Sequence, residues 1–152
     1  MSNRQTALAL VAVAALATAT FAFGRGDLDV LFTQTPKEMK FVADPAHAGY
    51  ETAMLVGDPT KPGVYSVHLR IPANTSIAPH THGEAWRIAT VISGTLHYAQ
   101  GDTFDEKKLK ALPPGSLLVE PKGIPHFART GKEPVLLNIV GDGPASTVAV
   151  PK

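Results

Sequence analysis

The alternation of hydrophobic and polar positions predicts a chain built from short β-strands. In "VYSVHLRIP", Val67, Leu69 and Ile71 fall on one face and polar side chains on the other, which is typical of a half-buried strand. The stretch "WRIATVIS" (86–93) is apolar on both faces, so we expect it to be covered on both sides. Roughly eight to ten such strands, separated by turn sequences such as "VGDPTKPG", predict an all-β sandwich or barrel.

Composition supports one small globular domain. The chain has 152 residues, of which 44% are hydrophobic and 18% are charged, so a core is expected and disorder is not. The 13 glycines and 13 prolines favour strands joined by turns over long helices. Because the chain contains no cysteine, disulfides and thiolate ligands are excluded, and any metal must be held by imidazole, carboxylate or carbonyl groups.

The amino-terminal segment has the pattern of an export signal. Arg4 precedes the apolar run "ALALVAVAALATATFAFG", and a small-x-small site predicts cleavage after Ala22. We therefore expect a signal peptide at residues 1–22, a domain at 23–152, and a periplasmic or secreted protein without further membrane contact. An uncleaved anchor is the alternative, since about 20 apolar residues can span a bilayer. The remaining acidic and basic residues balance and form no basic stripe, so nucleic acid is not an expected partner.

Two segments carry the candidate chemistry. In "APHTHGEAWRIATVISG" (78–94), His80 and His82 lie two residues apart, so on a strand they point to one side and form a two-point clamp for a metal. In "GSLLVEPKGIPHFART" (115–130), a strand and a Pro-x-Gly turn lead to His126. The other three histidines are interpreted as polar surface residues, namely His47, His68 and His97.

Together, these two segments resemble the two motifs of the cupin superfamily. The first motif pairs H-x-H with a glutamate and a later glycine, and the second places a histidine after a Pro-x-Gly turn. The matching positions are His80, His82, Gly94, Gly115, Pro121, Gly123 and His126. Two positions depart, because Arg87 stands where the first motif has its glutamate and Thr130 stands where the second ends in asparagine. With this variant first motif, the chain is similar to small single-domain bacterial cupins.

The resemblance implies a fold and a metal centre. The fold would be the cupin double-stranded β-helix, a jelly-roll barrel. The metal would be a divalent transition ion such as Fe, Zn, Ni, Mn or Cu, held by His80, His82 and His126 without the usual glutamate. Three neutral imidazoles are a sound ligand set for such ions and leave positions open for substrate.

An arginine beside a metal requires a counter-charge. At an effective dielectric near 20, a unit charge about 6 Å from a divalent ion is repelled by about 5 kcal/mol, against about 10–16 kcal/mol for binding of structural zinc. Three arrangements resolve this conflict. Glu84 pairs with Arg87 or itself ligates the metal, Arg87 turns outward through a bulge, or an anionic substrate binds the guanidinium.

The resulting hypotheses belong to different functional classes. The first is a metal-dependent enzyme, dioxygenase- or isomerase-like, acting on a small anionic substrate such as a carboxylate. In it Arg87 anchors the substrate, Glu84 is a candidate base, and Tyr98 is a further candidate that could supply a hydroxyl to the pocket. The alternative is a non-catalytic envelope protein that binds a small molecule or a metal. A third hypothesis is a domain that mainly forms homodimers.

Overall fold

A computed structural model describes residues 31–45 and 47–151. Within them, eleven strands form two antiparallel sheets. The strands are β1 (Val42–Ala43), β2 (Glu51–Val56), β3 (Gly63–Ile71), β4 (Ser76–His82), β5 (Trp86–Ser93), β6 (Leu96–Gln100), β7 (Lys110–Leu112), β8 (Leu117–Pro121), β9 (His126–Thr130), β10 (Val135–Gly143) and β11 (Thr147–Ala149). The signal peptide predicted at residues 1–22 lies outside the described residues.

The two sheets form the predicted all-β jelly roll. The larger sheet has the order β1-β2-β3-β10-β5-β8, and the smaller one has the order β11-β4-β9-β6-β7. In the described part of the chain, the only helical segment is a 3-10 turn at Glu106–Lys108, which Asp105 caps through its side chain. None of the helices in that part is long and apolar enough to cross a bilayer.

The hydrophobic core lies between the sheets. On β3, Val67 and Ile71 are buried and Leu69 packs against the core, which confirms the alternation predicted for this strand. The larger sheet also contributes alternate residues of β5 and β10, and the smaller sheet contributes Leu96 and Ala128. The inward positions of both sheets therefore face one shared interior, into which the site residues also project.

The prediction that β5 is covered on both faces is wrong for the single chain. Ala89 and Val91 are buried, but Trp86 and Ile92 on the other face are 37% and 44% exposed. The reason is that no further layer from residues 31–45 or 47–151 lies outside β5 and the neighbouring edge strand β8. Their outer face carries Val119, which lies opposite Ile88 and is 59% exposed.

Candidate metal centre

The structure brings the three predicted histidines together on the smaller sheet. His80 and His82 lie on β4, and His126 lies on the adjacent β9 directly opposite His80. The ring centroids of these residues are 4.4 to 5.0 Å apart. One potential ligand atom from each lies within 4.8 Å of the other two. The prediction that these side chains converge on one point is therefore confirmed, and they form a group that could hold a metal ion.

Main-chain carbonyls orient all three imidazole rings. Each ring has its Nδ1 within hydrogen-bonding distance of a carbonyl oxygen: Ala78 at 2.9 Å for His80, Ser146 at 3.2 Å for His82, and Ile124 at 3.0 Å for His126. A carbonyl oxygen only accepts, so Nδ1 carries the proton and the lone pair of a neutral ring resides on Nε2. The Nε2 atoms of His82 and His126 are buried without a hydrogen-bond partner. Buried lone pairs of this kind, on rings held by carbonyls, suit a metal ion.

The surroundings of the cluster favour neutral imidazoles. Burial is the main cause that lowers the pKa of His80 and of His82, in the latter to about 4. The nearby guanidinium of Arg87 lowers both values further. These two rings are therefore uncharged near neutral pH, which is the state in which imidazole binds a metal.

Hydrogen bonds between the two motif segments fix the cluster. Gly123 in the Pro-x-Gly turn donates its N–H to the carbonyl of His82 at 3.0 Å, and Lys122 donates to Ala85 at 3.3 Å. Gly123 has a φ of +72°, a left-handed conformation that glycine adopts without steric cost. The turn therefore attaches the start of β9, and with it His126, to the end of β4.

The counter-charge of Arg87 is Glu120, a residue that none of our three arrangements included. Arg87 on β5 lies directly opposite Glu120 on β8, and its Nε donates to Oε2 of Glu120. The carboxylate is 5% exposed. Its Oε1 lies 3.3 Å from Nε2 of His126, and its Oε2 lies 3.8 Å from Nε2 of His82. The larger sheet thus presents a carboxylate to histidines that belong to the smaller one.

The sequence does contain a signal for Glu120. In "SLLVEP" the residues alternate, so Glu120 shares its face with Leu118, and the structure buries both. A carboxylate on the core face of a strand, two residues from a buried leucine, requires a partner. Burial raises the pKa of Glu120, but Arg87 and the neighbouring histidines outweigh this effect and leave the pKa below its ordinary value.

Glu84 lies in the loop after β4 and is bonded to protein groups. Its Oε1 accepts from the hydroxyl of Tyr65 at 3.0 Å, and its Oε2 accepts from the N–H of Ser146 at 3.1 Å. Burial opposes ionisation, but these hydrogen bonds and the charge of Arg87 leave the pKa of Glu84 below its ordinary value. The group of potential ligands formed by the three histidines includes neither Glu84 nor Glu120, and the role of Glu84 as a base or ligand stays a prediction.

Tyr98 borders the cluster from β6. Its ring stacks on that of His126 with centroids 5.3 Å apart. Burial and the charge of Glu120 raise the pKa of Tyr98, so the hydroxyl keeps its proton and can donate a hydrogen bond. Sequence reasoning named Tyr98 but gave it no orientation, and the structure places it on the interior side.

Comparison with known proteins identifies the family. The sequence profile of the family described as Cupin matches residues 60–148. The chain is a cupin.

Among curated proteins, the cupin is 32% identical over 85 residues to germin-like protein 9-3 of Oryza sativa subsp. japonica, covering 55% of the chain and 40% of that protein. It is 35% identical over 77 residues to putative germin-like protein subfamily 1 member 12 of Arabidopsis thaliana, covering 49% of the chain and 34% of that protein. The matched part is thus less than half the length of either relative.

Solved structures share the fold. The polyketide cyclase RemF from Streptomyces resistomycificus matches with a TM-score of 0.65 and 18% identity, covering 81% of this cupin and 87% of the cyclase. A variant of salicylate 1,2-dioxygenase from Pseudoaminobacter salicylatoxidans in complex with gentisate matches with a TM-score of 0.53 and 17% identity, covering 66% of this cupin and 29% of the dioxygenase. At such low identity, these similarities establish the jelly roll and leave function to the site.

Proposed function

We propose that this cupin holds a divalent transition metal ion on His80, His82 and His126. The observation that carries the proposal is the pair of buried, unpartnered Nε2 atoms on His82 and His126, beside a third ring held in the same way. Imidazoles whose Nδ1 is held by a hydrogen bond are typical ligands of Zn, Fe, Ni, Mn or Cu. When bound, such an ion supplies Lewis acidity or, for a redox metal, oxygen chemistry.

We further propose that the protein is an enzyme acting on a small anionic substrate, such as a carboxylate. Arg87 acts electrostatically on both Glu84 and Glu120, so two carboxylates and one guanidinium leave the pocket with one net negative charge. A divalent ion would make the whole centre positive by one unit, which attracts a monoanion. Proteins that share this fold include one named as a cyclase and one named as a dioxygenase, and dioxygenase- or isomerase-like chemistry agrees with a three-histidine site.

The proposal gives the other polar residues distinct tasks. Tyr98, next to His126, would donate a hydrogen bond to the bound anion. Arg87 was expected to bind the substrate, but its guanidinium already pairs with Glu120. We therefore propose that Arg87 and Glu84 act by positioning neighbouring groups instead of contacting the substrate.

Metal content tests the proposal directly. The full chain, His82→Ala, His126→Ala and, as a matched control, the exposed His47→Ala would be purified in parallel and analysed for transition metals. We expect about one ion per chain in the parent and in His47→Ala, and little in the two site variants. Chelation should lower the melting temperature of the parent and of His47→Ala but not of the two site variants, since a ligand of the folded state stabilises it by mass action. Equal metal content in the parent and His82→Ala would contradict the proposal.

A non-catalytic binding protein is the second candidate function. The observation that favours it is that Glu84 and Arg87 are both bonded to protein groups, although they were the residues expected to act on substrate. The metal-loaded protein would be screened with small carboxylates by thermal shift, and each stabilising compound would then be incubated with the protein and analysed for product. Binding without turnover across all such compounds supports this candidate over an enzyme.

Export and self-association are further proposals. We propose a bacterial periplasmic or secreted protein on the basis of residues 1–22 alone, and mass spectrometry of the exported protein should find Phe23 at its amino terminus.

We also propose a homodimer through the exposed outer face of β5 and β8, which carries Trp86, Ile92 and Val119. Replacing Val119 by Lys should then shift the protein towards the monomer in sedimentation velocity experiments.

A further inference from the structure

We infer that Glu120 is the fourth protein ligand of the metal centre and that Arg87 positions it. The inference rests on the proposed function, because it requires that the three histidines hold a metal. It goes beyond that function by assigning a ligand from the larger sheet at a position outside the first motif. The centre would then take one carboxylate and three imidazoles, drawn from both layers of the jelly roll.

The contact between Glu120 and His126 requires a cation between the two groups. Nδ1 of His126 donates to Ile124, which leaves Nε2 as the ring atom that faces the carboxylate. Oε1 of Glu120 is an acceptor, and it lies 3.3 Å from that nitrogen. Two acceptors at this separation, both buried, repel one another unless a proton or a metal ion lies between them. Two atoms bound to one tetrahedral zinc at about 2.0–2.2 Å lie about 3.3–3.5 Å apart, which matches the observed distance.

His82 presents the same geometry towards the other carboxylate oxygen. Its Nδ1 donates to Ser146, and its unpartnered Nε2 lies 3.8 Å from Oε2 of Glu120. One buried carboxylate is thus flanked by two imidazole nitrogens whose lone pairs have no hydrogen bond. A shared cation satisfies all of these acceptors at once.

Arg87 fixes the orientation of this carboxylate. It donates to Oε2, which leaves Oε1 directed at His126. Arg87 and Glu120 lie directly opposite one another on adjacent strands, so the carboxylate missing from position 87 is replaced by one on the neighbouring strand. Because Glu84 adds a second negative charge beside the guanidinium, the pocket keeps one net negative charge despite the arginine, and the electrostatic conflict seen in the sequence disappears.

A comparison at constant charge tests the inference. The double variant Arg87→Gln/Glu120→Gln removes one positive and one negative charge, so the net charge of the pocket is unchanged while the proposed ligand is lost. The single variant Arg87→Gln keeps the ligand. Apo-protein of each would be titrated with Co²⁺, following the visible absorption bands, and with Zn²⁺ in competition with a chelator. Circular dichroism and melting temperature would report whether each variant folds.

We expect the double variant to bind Co²⁺ at least about tenfold more weakly than the parent. Replacing a residue that only hydrogen-bonds to a metal ligand already lowers metal affinity by about 10–100-fold. Its absorption bands should also change, whereas Arg87→Gln, which keeps the ligand and loses only the group that positions it, should bind more tightly than the double variant. Glu120→Asp shortens the side chain and so withdraws the carboxylate while keeping its charge, and it should show the same loss of Co²⁺ affinity. This single variant provides the test if the double variant does not fold. Parent-like affinity and bands in the double variant, or in Glu120→Asp, would overturn the inference. Failure of the proposed function looks different, because the parent would then bind Co²⁺ no better than His82→Ala.

Discussion

Tyr65 donates its hydroxyl proton to Oε1 of Glu84 at 3.0 Å, joining the interior of β3 to the loop after β4. The second oxygen of Glu84 accepts from the N–H of Ser146, whose carbonyl accepts from Nδ1 of His82. Tyr65 has room for its ring because the residue opposite on β10 is Gly141, where a Cβ would lie 2.7 Å from the hydroxyl oxygen. Tyr65 on β3 is thus linked through Glu84 and Ser146 to His82, one of the three clustered histidines.

Tyr65→Phe is expected to lower the free energy of unfolding by about 1.5–3 kcal/mol, because it removes a buried hydrogen bond to a carboxylate. Urea denaturation of the apo-protein measures this loss. Tyr98→Phe is the matched control, since the Tyr98 hydroxyl makes no hydrogen bond to another described residue, and we expect a loss of less than about 0.5 kcal/mol there. Equal losses in the two variants would show that the bond to Glu84 contributes nothing specific.

Thr130→Val is expected to destabilise the protein by about 1–3 kcal/mol. The hydroxyl of Thr130, which stands where the second motif ends in asparagine, donates to the carbonyl of Pro72 at 2.7 Å and accepts from the N–H of Thr75 at 2.8 Å. Valine has a similar shape but leaves that N–H without a partner. Thr130→Ser keeps the hydroxyl and should retain most of the stability in thermal unfolding. A neutral effect of valine would mean that water replaces the lost partner.

Gly94→Ala is expected to cost more than Gly123→Ala, although both glycines are left-handed, with φ of +74° and +72°. The shared conformational penalty is about 1–2 kcal/mol for a residue with a Cβ. At Gly94 the new Cβ would also lie 2.2 Å from the carbonyl oxygen of Pro134, whereas at Gly123 it would meet nothing within 4 Å. Overpacking adds about 1–3 kcal/mol at Gly94. Chemical denaturation of the two variants checks the order, which a similar loss in both would contradict.

Asp58 is expected to contribute stability that disappears in acid. Hydrogen bonds from Thr60 and the nearby ammonium of Lys61 lower the pKa of Asp58 from 3.8 to about 2. Because the folded-state pKa is below the unfolded one, the contribution is complete above about pH 4 and is lost as the pH falls towards about 2. The melting temperature of Asp58→Asn should therefore lie below that of the parent near neutral pH, and the gap should narrow in acid. A gap that stays constant with pH would exclude this linkage.

Much of the fold was predictable because its signals are local. The alternation along β3 and the spacing of turn residues specify short strands, and the two motifs with His80, His82 and His126 specify the jelly roll and the converging imidazoles. The exposure of Trp86 and Ile92 was not predictable from β5 alone. An apolar face on a strand indicates only that its burial would be favourable. Whether another layer covers that face depends on the order of the strands in the sheet.

The partner of Arg87 was missed for a related reason. Arg87 and Glu120 are 33 positions apart in the chain, and only the pairing of β5 with β8 makes them direct neighbours. Glu84, three positions from Arg87, was the natural candidate from sequence proximity. Its hydrogen bonds to Tyr65 and Ser146 arise from contacts across 19 and 62 positions, which no local pattern encodes.

The peptide of Ser146 has a consequence for the order in which the protein matures. During synthesis all three histidines leave the ribosome before this residue, yet the ring of His82 is oriented only when the carbonyl of Ser146 arrives from 64 positions downstream. A nascent chain, or one shortened before β11, carries every imidazole but lacks the group that holds one of them in the right tautomer. The carbonyl that orients His82 is therefore supplied by the segment that leads into β11, and the histidine cluster is fully oriented only when this segment is in place.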